Sequence, residues 1–103
     1  MTDKTDIVFL TLITTRSQRE TMETVLSAAG GLFIETLYGR GSVNAGWLHG
    51  AFGITADETR VSLTCLISRA NANAVLERLT NYFGFNKPNT GIAFTVPVNA
   101  VAV

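Results

Sequence analysis

Near the end of the chain the run FNKPNTG, 85–91, gathers Lys87, Asn89, Thr90 and Gly91. Successive backbone N–H groups in a turn of Asn, Thr and Gly can form a concavity that binds an anion, and Lys87 would stand beside it as a point charge. An ordinary connection, in which Pro88 and Gly91 only satisfy turn geometry, carries the same residues. A second group is Gly39, Arg40 and Gly41, where a glycine-rich segment leaves an apolar one. The planar guanidinium of Arg40 could clamp a carboxylate or phosphate through two hydrogen bonds. The plainer alternative there is a solvated hairpin base. Between 41 and 56 no charged residue occurs, yet Trp47, Leu48, His49 and Phe52 do. Aromatic anchors of this kind suit docking to a partner protein; they suit equally a flap folded back over the protein's own assembly.

Other chemistry finds little support. His49 is the only histidine and Cys65 the only cysteine, so no metal site is expected. The lone cysteine also excludes an internal disulfide and fits a reducing compartment. No Ser/His/Asp constellation offers a nucleophile with its base, and no enzymatic activity is expected. Lys and Arg together number 8, as do Asp and Glu, and the pI is about 6.5. Such a balance provides no positive footprint for nucleic acid. Acidic residues precede the first apolar run, and no small-residue cleavage pattern follows, so a secretory signal is not expected. The uncharged stretches 41–56 and 88–103 are too broken by Asn, Thr, Gly or Pro to span a membrane. A cytoplasmic location is the resulting expectation. The hydrophobic fraction is 47% of 103 residues and the mean hydropathy +0.27. A chain this short cannot hide so much apolar surface alone, which points to contact with another chain.

These groups must be positioned by a small set of elements. IVFLTLITT, 7–15, is β-branched and almost continuously apolar, as a strand covered on both faces would be. Ser17-Gln18-Arg19-Glu20 has the spacing of a capping box, and Met22, Val25, Leu26 and Ala29 recur at helical spacing until Gly30-Gly31. A second strand is expected over 32–38. A long loop over 39–58, holding five glycines, follows it. TRVSLTCLIS alternates, placing Val61, Leu63, Cys65 and Ile67 on one face. A second helix starts near Asn71, with Ala72, Val75, Leu76, Leu79 and Phe83 as its stripe and Gly84 as its stop. The last strand is expected over 92–98.

The order β-α-β-β-α-β predicts an α+β fold of one domain spanning 1–103, a ferredoxin-like sandwich with an antiparallel sheet and two helices on one face. The first and third strands should be central, the second and fourth at the edges. Pro97 lacks a backbone N–H and therefore suits an edge.

With the ending NTGIAFTVPVNAV, 89–101, and the YGRG of 38–41, this order resembles the PII signal-transduction family, in particular its divergent PII-like branch. The most specific match is Gly91, Phe94, Pro97 and Val98 in a Gly-x-x-Phe-x-x-Pro-Val run. The resemblance implies a homotrimer with clefts between subunits. Small effectors, often adenine nucleotides, bind there between the base of a T-loop (39–58) and a B-loop (85–91). The T-loop then meets a transporter, enzyme or regulator. The chain also departs from the family pattern. Ile92 stands where a phosphate-holding lysine follows the glycine, 99–103 lack arginine, and Gly41 replaces a glutamine at the T-loop base. No tyrosine lies within the loop. These departures point to a smaller or less charged ligand than ATP with 2-oxoglutarate.

The reading that follows is a non-enzymatic regulator that senses a small effector and controls a partner. The competing reading is a CutA-like structural or ion-tolerance trimer, to which the missing phosphate-binding residues are congenial. A small acylphosphatase-like enzyme would need an Arg and Asn constellation that the chain does not assemble.

Overall fold

The computed structural model describes residues 6–40, 59–87 and 90–99, with Arg40 and Thr59 described by backbone alone. Four strands, β1 (Ile7–Thr15), β2 (Leu32–Arg40), β3 (Thr59–Ser68) and β4 (Gly91–Pro97), form one antiparallel sheet. The order across it is β2-β3-β1-β4. Helices α1 (Arg19–Ala28) and α2 (Arg69–Asn81) complete the ferredoxin-like arrangement. β1 and β3 are central, as the sequence predicts, and Pro97 lies on edge strand β4 opposite Val8. The missing N–H therefore falls where an edge tolerates it.

The pairing register explains the core. Val8, Leu10, Leu12 and Thr14 of β1 face Ile67, Cys65, Leu63 and Val61 of β3 in order. All eight are buried. Met22, Val25 and Leu26 of α1 and Ala72, Val75 and Leu79 of α2 close over this face. A strand has a side-chain period of 2, so this register sends every intervening residue to the opposite face.

Local chemistry sets the helix ends. Gly30 has φ of +88°, a conformation that glycine adopts without steric penalty. The Gly30 and Gly31 N–H groups bond to the Ser27 and Leu26 carbonyls, the paired bonds of a Schellman motif. Gly84, three residues beyond the end of α2, also has a positive φ, +73°. The expected capping box at Ser17 does not form. Arg16–Gln18 make a turn of 3-10 helix, and the Ser17 hydroxyl pairs with that of Thr15 at 3.1 Å instead. The side-chain cap occurs on α2, where the Ser68 hydroxyl accepts from the Asn71 N–H at 3.2 Å. Asn71 Nδ2 in turn donates to the Ala29 carbonyl, tying the start of α2 to the end of α1.

Strand boundaries differ from expectation at β2 and β4. β2 continues through Gly39 and Arg40, which pair with Arg60 and Thr59. β4 begins one residue early, at Gly91, because that residue pairs with Thr14. β2 also carries an irregularity between Leu32 and Glu35, where Phe33 adopts φ of 55°. A left-handed conformation at a residue with a Cβ costs about 1–2 kcal/mol.

The expectation that β1 is covered on both faces is corrected. Among the described residues both helices lie on one face; on the other, Phe9 of β1 and Phe94 and Val96 of β4 are exposed. The near-continuous apolar run of β1 thus includes a face that no described helix covers. The apolar positions group there by register, with Leu32, Leu66, Phe9 and Val96 in one row and Leu37, Ser62, Ile13 and Ile92 in another. Between them runs the more polar row Glu35, Thr64, Thr11 and Phe94.

Candidate functional site

The two sequence-predicted binding groups lie at the same end of the sheet. Register places Gly91 opposite Thr14, Thr14 opposite Val61, and Val61 opposite Tyr38, a row that crosses all four strands. The next row carries Thr15, Arg60 and Gly39. Gly39 and Arg40 are therefore on the β2 edge and Gly91 on the β4 edge. Three strand spacings of about 4.8 Å separate them, roughly 14 Å in all. Among the described residues, Gly39 and Gly91 share a rim and stand on opposite edges of it.

The segment leading into β4 is built on fixed points. Phe85 packs against the core and its N–H bonds to the Leu79 carbonyl. The Lys87 N–H bonds to the Gly84 carbonyl, and the Lys87 side chain is exposed. The Thr90 carbonyl accepts a 3.0 Å hydrogen bond from the Thr14 hydroxyl. Gly91 is buried, and a Cβ there would stand 2.7 Å from the Phe85 ring and 2.8 Å from the Ile13 carbonyl oxygen. Close packing thus accounts for the glycine. Beside this segment, Thr14, Gln18, Met22, Phe83, Phe85 and Thr90 line a recess of about 150 Å³ on the helix side.

Of the other predicted residues, Gly39 is an exposed strand residue. Gly41, Trp47, His49, Phe52 and Asn89 lie outside the described residues, and so do the tip and body of the 39–58 loop. Cys65 is buried in the core, and burial raises its thiol pKa. Among the described residues no cluster of three or more His, Cys, Asp or Glu could hold a metal ion. No helix among them is long and apolar enough to cross a membrane.

Two site-adjacent residues escape a sequence reading. Thr14 continues the apolar core row of β1, and nothing in the local pattern marks its hydroxyl as a tie to residue 90. Arg60 is only 7% exposed although it begins an alternating strand. It sits between Thr15 and Gly39 in the rim row. A polar residue at a strand end reads as solvated, so neither burial is visible without the sheet order.

No protein-family model and no curated protein sequence matches the chain. Solved structures do. A PII-like signalling protein from Thermus thermophilus superposes with a TM-score of 0.66 at 15% identity, over 89% of this chain and 86% of that one. CPII from Thiomonas intermedia, a nitrogen regulatory PII-like protein, was solved bound to ADP, AMP and acetate. It superposes with a TM-score of 0.65 at 14% identity, over 91% of this chain and 89% of that one. The same protein bound to ADP, AMP and bicarbonate gives 0.64 at 15% identity, over 94% of both chains. At such identities the likeness is one of fold. This chain has the fold of the PII-like signalling proteins, as the ending of its sequence led us to expect.

Proposed function

We propose that the chain is a non-enzymatic PII-like signalling protein that assembles as a homotrimer and binds a small effector in the clefts between subunits. The observation that carries this reading is the open sheet face. Phe9, Phe94 and Val96 are exposed on it and Ile13 and Ile92 half-buried, and among the described residues no helix packs over them. Contiguous exposed apolar surface on a small domain marks an interaction site. Covering it with other copies would bring the rim residues of neighbouring sheets together and close a cleft that one protomer leaves open.

The effector is an adenine nucleotide or another small anion, held beside 85–91 with Gly39, Arg40 and Gly41 from the rim. Support comes from the exposed Lys87 on its anchored segment and from the fold neighbour solved with ADP, AMP and acetate or bicarbonate. Ile92 in place of a lysine favours AMP or a small carboxylate-like anion over a triphosphate. The 39–58 loop, with Trp47, His49 and Phe52, carries the signal to a transporter or enzyme.

Sedimentation and ligand titration test the reading together. The expected particle has three times the 11.1 kDa chain mass, and AMP, ADP or bicarbonate raises its melting temperature in a saturable way. A ligand at a hundred times its Kd adds about 2.7 kcal/mol to apparent stability. A folded particle of one chain mass overturns the trimer. A trimer indifferent to all three ligands overturns the sensing role and favours the CutA-like structural assembly.

A further inference from the structure

We propose that Thr14 is a positioning residue: its side chain fixes Thr90, at the entry to β4, to the end of the central strand and so sets where an effector can sit. The ligand arm of this inference rests on the function proposed above; the structural arm does not.

Thr14 is anomalous for its row. Val8, Leu10 and Leu12 precede it on the core face of β1, and Val61 lies opposite. A valine would fit that pattern, yet the residue is a threonine, 1% exposed. Burying a hydroxyl without a hydrogen bond is unfavourable, so a threonine here needs a fixed acceptor. The acceptor is the Thr90 carbonyl, 76 residues away in sequence and 3.0 Å away in space.

That carbonyl lies just before β4 begins. The Thr14 hydroxyl thus adds one side-chain bond where the regular β1–β4 pairing ends at Gly91. Gly91 fixes the approach on the other side, because Phe85 and the Ile13 carbonyl leave no space for a Cβ. The chain at Thr90 and Gly91 is therefore held close to β1 by a hydrogen bond at one residue and tight packing at the next. Thr14 is also in register with Val61, and its neighbour Thr15 with Arg60, which pairs with Gly39. The end of one central strand thus contacts Thr90 and Gly91 directly and is in register, through Arg60 of β3, with Gly39 on the other edge.

Thr14→Val removes the hydroxyl and keeps the shape, whereas Thr14→Ser keeps the hydroxyl. Amide hydrogen exchange at Thr90 and Gly91, referenced to the core amides of Leu10 and Leu63, measures the tie without any ligand. In Thr14→Val exchange at Thr90 and Gly91 is expected to rise at least fivefold relative to the core amides; in Thr14→Ser it stays near wild type. AMP titration is the second readout, with a Kd at least fivefold weaker in Thr14→Val and restored in Thr14→Ser. Exchange that rises no more at 90–91 than in the core overturns the inference. So does an AMP-binding wild type whose affinity Thr14→Val leaves unchanged. If wild type binds no AMP, the ligand reading fails by itself and the exchange ratio still decides the structural tie.

Discussion

Gly91 and the ring of Phe85 are packed so closely that a single added methyl group would come within 2.7 Å of the ring. The Ile13 carbonyl oxygen, at 2.8 Å from the same point, blocks the other direction. Backbone cannot yield as a side-chain tip does. Gly91→Ala is therefore expected to destabilise the protein by about 1–3 kcal/mol, the usual range for overpacking. Urea denaturation checks this. Adding Phe85→Leu should recover part of the loss, leaving the share due to the Ile13 carbonyl.

The open sheet face should govern assembly and not folding. Phe94 is 44% exposed in the protomer, opposite Thr11 on the face that no helix covers. Phe94→Asp would place a charge in any interface formed there, where an unpaired buried carboxylate is strongly unfavourable. The expected result is a particle of one chain mass by sedimentation with an unchanged far-ultraviolet circular dichroism spectrum. An intact trimer would show that the face is not the contact.

Helix α2 depends on its cap. Ser68 accepts from the Asn71 N–H at 3.2 Å, satisfying one of the free donors of the first turn. Ser68→Ala should lower stability by about 1 kcal/mol, and Ser68→Asp should retain most of it. Ser17→Ala should cost little by comparison, since its hydroxyl pairs with that of Thr15 and caps no helix N–H. Thermal melts of the three variants test the contrast.

Cys65 makes stability fall at alkaline pH. Burial raises its thiol pKa, so the folded chain keeps the proton at a pH where the unfolded chain has released it. The contribution is fully present below the ordinary thiol pKa, near about 8.5. It declines as pH rises through that value towards the folded one, by at most about 1.4 kcal/mol per pH unit. Urea midpoints at about pH 7 and pH 10 should differ more for wild type than for Cys65→Ala. Alkylation of Cys65 in the native protein should be slow at neutral pH, because the thiolate is both scarce and enclosed.

The sequence alone determined the features that rest on neighbours within a few residues. The alternation of Val61, Leu63, Cys65 and Ile67 fixed the core face of β3, and Gly30 and Gly84 fixed where helices stop. Pro97 identified its strand as an edge. Each depends on a local period or a backbone constraint. The misreading at Ser17 was local too: the pattern of a capping box was present, but the chain spent Arg16–Gln18 on a 3-10 turn and moved the helix start beyond it.

Only the tertiary structure decided what depends on residues far apart in the chain. It set Gly39 and Gly91 on opposite edges of one sheet end, buried Arg60, and joined the Thr14 hydroxyl to Thr90. It also divided the continuous apolar run of β1 between one face under the helices and one that no described helix covers. Strand order and register decide these matters, because they determine which side chains meet, and neither is a property of any single stretch of sequence.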